Sequence, residues 1–177
     1  MTAAIRLFDE RGYHATGMDD IGAVAGMTGP AIYRHFKSKE ELLETILLES
    51  MAAFVERAQA IIAEAGDANS AIEALVEDYA SALLANPALA AVAAYERRNL
   101  RPEIRAAVSR NERTNFEAWV TALEVIHPHR PTAELRAMVQ GACAMAVAMV
   151  APRRGLARAA REQLIIGMVR RALDIER

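Results

Sequence analysis

The chain carries a single cysteine, Cys143, so an intramolecular disulfide framework is excluded and a reducing, cytoplasmic setting is the expectation. Proline and glycine are scarce, 6 and 9 among 177 residues, which leaves room for long uninterrupted helices. No stretch alternates apolar and polar residues as a half-buried strand does. No apolar run is long enough to cross a bilayer, and the N-terminus shows no signal-peptide pattern, so no membrane partner is expected. Charge of one sign is lacking too: 21 basic side chains face 23 acidic ones, a net charge of −2 that gives no global sign of nucleic-acid binding. Lysine is confined to Lys37 and Lys39, every other basic residue being arginine. Enzyme chemistry finds little footing. The histidines His14, His35, His127 and His129 are scattered, and no glycine-rich phosphate loop or nucleophile motif is present. His127 and His129 share a proline-bounded loop without an acidic or thiol neighbour, so no metal, cofactor or catalytic residue is expected.

What the chain does have is helical periodicity. A composition of 53% hydrophobic and 25% charged residues is that of a globular domain, here an all-α one. Ser38 and Glu41 form a capping-box signal for a helix whose apolar stripe runs Leu42, Leu43, Ile46, Leu47, Met51, Phe54, Val55, Ile61 and Ile62. Such a helix spans roughly 35 Å and can connect two lobes. Gly66-Asp67 breaks it, and Ser70 with Glu73 repeats the capping signal. Asn86-Pro87 and Pro102 start two further helices, the second ending near His127. One more runs from about Thr132 to Val150, is stopped by Pro152 and Gly155, and is followed by a last helix over 156–175. The map is three short helices, one long connector and about five more.

Residues 18–36 carry the functional signal. Ile21, Val24 and Ala25 supply the inner face of one short helix, Gly26 a tight turn, and Thr28 a cap for a second helix with Pro30 in its first turn. Ile32 and Phe36 then point inward, leaving Gly29, Pro30, Ala31, Tyr33, Arg34 and His35 outward, as a DNA-reading helix requires. Around this helix-turn-helix stand Ala4-Ile5, Leu7-Phe8, Gly12-Tyr13, Asp20-Ile21, Ala25-Gly26, Ile32-Tyr33, His35-Phe36, Ser38-Lys39-Glu40 and Leu42-Leu43. This set, over about the first quarter of the chain, closely resembles the N-terminal domain of the TetR family of bacterial repressors.

The resemblance implies a three-helix DNA-binding domain over 1–45 and a helical ligand-binding and dimerisation domain over 46–177. It implies that Tyr33, His35 and Lys39 hold the phosphate backbone with help from Thr28, and that Gly29, Pro30, Ala31 and Arg34 face the bases. Arg34 is the base reader of choice, because a guanidinium can bind guanine O6 and N7 together. Two departures stand out: Gly17 replaces the usual Ser or Thr cap, and Met1-Thr2-Ala3 falls inside the expected first helix, without a preceding basic arm. Up to residue 50 the bases Arg6, Arg11, Arg34, Lys37 and Lys39 are outnumbered by acids, so weak or salt-sensitive binding is expected.

In the larger part, Glu96 and Glu112 interrupt apolar stripes, with Asn115 beside the latter. They either pair with Arg97, Arg98 or Arg113 or line the polar end of a cavity. Tyr79, Tyr95, Phe116, Trp119, Met138, Met145 and Met149 are candidates for its apolar wall. Small residues from Ala137 to Ala148, with the last helix, suit a homodimer interface about a two-fold axis. The stretch from Tyr95 to Pro102 is similar to one in members tied to acyl-CoA or lipid metabolism, so an acyl-CoA or lipid-like effector is one expectation. Two functions stay open: an effector-released repressor of double-stranded operator DNA, and a helical interaction protein that kept the fold but lost specific DNA binding.

Overall fold

The computed structural model describes residues 1–150 and 156–175, so the expected stops at Pro152 and Gly155 lie outside the described residues. Among the described residues there is no strand, and no helix is long and apolar enough to cross a membrane. Three short helices come first: α1 (Thr2–Arg11), α2 (Met18–Val24) and α3 (Gly29–His35). The connector α4 (Lys39–Glu64) follows, then α5 (Ala68–Ala85), α6 (Pro87–Tyr95), a 3-10 turn (Arg97–Asn99), α7 (Pro102–Ile126), α8 (Thr132–Ala148) and α9 (Arg158–Ala172).

Local chemistry explains most boundaries. The Ser38 hydroxyl accepts from the Glu41 N–H at 3.2 Å and caps α4. The Glu41 carboxylate reaches back to the N–H of Lys37 at 2.6 Å, one residue before the cap that a capping box would serve. The α5 cap is Asp67, which accepts from Ser70 N–H at 2.8 Å; the helix therefore starts earlier than the Ser70–Glu73 signal indicated. Asn86 ends α5 and caps α6 by accepting from Leu89 N–H at 3.1 Å, with Pro87 in the first turn, where its missing N–H costs nothing.

Two hydrophobic cores result. One gathers Leu7, Phe8, Tyr13, Ile21, Ile32, Leu42, Leu43, Ile46 and Leu47 from the α1–α4 region with Val92 of α6, Leu100 after the 3-10 turn and Val108 of α7. The other packs α5, α7, α8 and α9 around Trp119, Leu123, Leu135, Val139, Ile165 and Leu173. Helix α4 belongs to the first through Leu47 and reaches the second at Ala58, so it joins the two.

An ion pair between buried Glu44 and exposed Arg101 fastens α4 to the start of α7. Arg101 Nε and Nη2 donate to the two Glu44 oxygens at 2.7 and 2.6 Å. The Glu44 carboxylate is buried, and these bonds hold its pKa below the ordinary carboxylate value despite the opposing effect of burial. Its folded pKa is thus below the unfolded one. The pair's contribution is present above about pH 4.5 and is lost as pH falls through the folded value. Urea midpoints measured between about pH 6 and about pH 3 should fall more steeply for the wild-type chain than for Glu44→Gln. Parallel slopes would show that other carboxylates dominate acid unfolding.

Candidate nucleic-acid interface and ligand cavity

Helices α2 and α3 form the helix-turn-helix. Gly26 takes φ +67°, the left-handed turn position that favours glycine, and the following Met27 N–H donates to Gly22 O at 2.8 Å. The small residue where the helices touch is Gly22, whose absent Cβ would lie 3.4 Å from Met27 O and 3.6 Å from Ile32 Cγ2. The inner face of α2 is Met18, Ile21 and Gly22. Val24 and Ala25, expected inside, are exposed: on a two-turn helix, a step of three residues from Ile21 already leaves the contact. At the start of α2, Gly17 N–H donates to the Asp20 carboxylate at 2.9 Å, so the N3 half of a capping box is made while the half that a Ser or Thr hydroxyl would supply is absent.

On α3, Ile32 is buried and Phe36 half-buried, while Thr28, Pro30, Tyr33, Arg34 and His35 are exposed and Ala31 is half-buried. Gly29 lies in the helix, its exposure outside what is described. Thr28 occupies the cap position without a side-chain cap bond, contrary to its expected capping role; its carbonyl, not its hydroxyl, receives the first N–H groups. Arg34 and His35 sit in the last turn, where a cation suits the helix dipole. No hydrogen bond or ion pair engages the side chains of Tyr33, Arg34 or His35 among the described residues.

Lys39 is placed differently. It is the first residue of α4, a position where the helix dipole disfavours a cation. Its ammonium donates to Tyr13 O at 2.8 Å and Thr16 O at 2.9 Å and lies 4.4 Å from the Tyr13 ring centroid. It thereby ties α4 to the loop between α1 and α2.

Behind this domain, α4–α8 enclose a cavity of about 410 Å³, toward the lower end of the range of about 300–1,000 Å³ for small-molecule sites. Its wall is mainly apolar, with Met51, Phe54, Leu83, Leu89, Val108, Phe116 and Val147. Arg97 and Glu112 meet at one side: Arg97 Nη1 donates to both Glu112 oxygens at 3.1 and 3.0 Å, and Nη2 donates to Ser109 Oγ at 2.9 Å. A neighbouring hollow shares Glu112, Phe116 and Gln140 with the cavity and adds Ser109, Arg113, Glu117 and Arg136.

Comparison with known proteins matches this arrangement to one family. Residues 1–46 fit the description "Bacterial regulatory proteins, tetR family". The chain is 32% identical over 122 residues to the HTH-type transcriptional repressor KstR2 of Rhodococcus jostii, covering 68% of this chain and 60% of that protein. It belongs to the TetR family. The Fatty acid metabolism regulator protein of Bacillus subtilis is 32% identical over 103 residues, 58% of this chain and 53% of that one. The matched stretch thus spans little more than half the length of these curated relatives, which are regulators and not enzymes. A TetR-family regulator structure from Bordetella parapertussis superposes with a TM-score of 0.86 at 18% identity, over 98% of this chain and 91% of that chain, a likeness of fold.

Within this TetR-family fold the expected cavity residues divide. Tyr79, Tyr95, Glu112, Asn115 and Phe116 line the cavity. The others do not. Glu96 turns to the DNA-binding side, accepting from Tyr13 N–H at 3.4 Å and from Asn99 Nδ2 at 2.7 Å. Trp119 is buried behind Tyr79, edge-on with ring centroids 5.8 Å apart. Met138, Met145 and Met149 pack against the second core. Periodicity missed the contributions of Ser50, Met51 and Phe54 from α4 and of Gln140, Cys143 and Ala144 from α8. For Glu112 both alternatives hold at once: it pairs with Arg97 and lines the cavity.

Cys143 lines the cavity, as does Tyr79. Burial pushes its thiol up to about 12, so it stays protonated at neutral pH. Iodoacetamide at about pH 8 should leave the folded protein unalkylated and modify it fully in denaturant. Rapid labelling of the native chain, read by mass spectrometry, would show that the site opens readily.

Proposed function

We propose that this chain is an effector-responsive regulator that binds double-stranded operator DNA as a homodimer and is released from it by a small, largely apolar molecule. The observation that carries the reading is the outward edge of α3, where Tyr33, Arg34 and His35 stand without partners among the described residues on a helix-turn-helix. Free donors on an exposed recognition helix are what phosphates and base edges require. The names of the relatives, a repressor and a fatty-acid metabolism regulator, support repression and an apolar effector. The exposed Ala137 and Gly141 on α8 and exposed Leu164 on α9 support pairing through the last two helices.

Consecutive residues link the two proposed sites. Glu96 reaches Tyr13 in the DNA-binding unit, while Arg97 reaches Glu112 in the cavity wall. An effector that displaces Arg97 would disturb its neighbour's bond to the α1–α2 loop, beside a tilt of α4. Release is then a population shift between DNA-competent and effector-bound conformations.

The test is fluorescence anisotropy on DNA from the gene's own upstream region at low and moderate salt, followed by addition of medium-chain acyl compounds. Saturable binding above random DNA, reversed by an effector, is the expected result. Asp19 and Asp20 at the exposed start of α2 favour the second reading, an interaction protein without specific DNA binding. Binding no stronger to upstream than to random DNA would select it.

A further inference from the structure

The cavity's charged groups, and several of its polar ones, are already engaged. Ser50 Oγ donates to Leu47 O at 3.1 Å, Asn86 Oδ1 accepts from Leu89 N–H, and Tyr79 packs edge-on against Trp119. Arg97 is neutralised by both oxygens of Glu112 and also holds Ser109. Gln140 is exposed. Asn115 is the buried exception: it is 6% exposed, lines the cavity, and no hydrogen bond engages its side-chain amide among the described residues, whereas Tyr95 is exposed like Gln140. An amide that fronts cavity space with no protein partner is free to bond a ligand that enters it.

Resting on the effector-site reading above, we infer that the cavity selects an uncharged ligand with a hydrogen-bonding carbonyl or hydroxyl on an apolar body, held by Asn115, and discriminates against free carboxylates. The amide can donate to an ester, thioester or ketone oxygen, or accept from an alcohol. A carboxylate gains little here. The guanidinium that would receive it is already paired, and Glu112 stands in the same wall as a like charge. To bind, a free acid must displace Glu112 from Arg97 or lose its own charge on entering an apolar space.

The test uses the full chain without DNA and compares methyl laurate, the S-methyl thioester of lauric acid and laurate at neutral pH by calorimetry. Trp119, the only tryptophan, stands against the cavity-lining Tyr79 and gives a second, fluorescence readout. At least one of the neutral-headed acyl compounds should bind tenfold or more tightly than laurate, and which one does separates a simple ester from a thioester source. Asn115→Leu should weaken that compound about tenfold while leaving dodecane, which has no polar group, undiminished. Glu112→Gln, which frees the Arg97 charge, should narrow or reverse the preference toward laurate. Laurate binding as tightly as the neutral compounds, an Asn115→Leu variant with unchanged preference, or no binding of any probe overturns the inference. Because no DNA is present, failure here leaves operator binding to its own test, and failure of operator binding leaves these affinities standing.

Discussion

Trp119→Ala is expected to lower folding stability by about 3–5 kcal/mol, whereas Phe116→Ala, nearly one turn earlier on α7, should cost under about 2 kcal/mol. Trp119 is 1% exposed and surrounded on all sides, with Tyr79 edge-on against it and Val120 and Leu123 beside it in the same core. Removing it deletes a large buried surface and leaves a hole that rigid helices cannot close. Phe116 is half-buried and faces existing cavity space, so part of its surface already lacks neighbours. A domain of this size has only about 5–15 kcal/mol of stability, so the Trp119 loss is a large fraction of it. Urea unfolding followed by circular dichroism measures both variants, since the first removes the only tryptophan. Equal losses would show that Phe116 is packed as core and that the cavity closes around it.

The same pair shows what the sequence discloses and where it stops. Local signals place the helices: Ser38 before Glu41, Asn86 before Pro87, Pro102, and glycine at the turn of the helix-turn-helix all act within a few residues of the boundary they make. Ambiguity begins where two residues compete for one local job. Asp67 and Ser70 are both good caps three residues apart, and the structure uses the first. On a short helix, periodicity cannot say where the apolar face ends, so Val24 and Ala25 read as core although they face solvent.

Cavity assignments fail for a different reason. Phe116 and Trp119 lie on one apolar stripe of α7, and only the packing of α4, α5 and α8 decides which fronts empty space and which fronts core. Glu96 looked like a cavity carboxylate because it interrupted an apolar stripe, yet its partner is the Tyr13 N–H, 83 residues earlier. The small residues of α8 carry two meanings at once: Ala142 and Ala146 are buried in the helical core, while Ala144 and Ala148 leave room in the cavity wall. No local pattern separates these uses.

On DNA, Arg34→Ala and Lys39→Ala should fail in distinguishable ways. Arg34 is exposed and unbonded, so its loss should lower affinity by about 1–3 kcal/mol at one base pair, with relaxed preference there and no change in folding stability. Lys39 is half-buried, and its ammonium already satisfies Tyr13 O and Thr16 O in the loop between α1 and α2. Removing it strips two charge-assisted bonds from the α1–α2 loop, so the melting temperature should fall and all sequences should bind more weakly. The salt dependence separates the two roles that Lys39 can have. A lysine that contacts phosphate contributes about one unit to the slope of log affinity against log salt, and its loss flattens the slope by that amount. A lysine that only positions the domain leaves the slope unchanged. The bonds to Tyr13 and Thr16 favour the second outcome: weaker binding to every sequence, a lower melting temperature and an unchanged slope. A flattened slope with an unaltered melting temperature would instead make Lys39 a phosphate contact, the role its family resemblance implies.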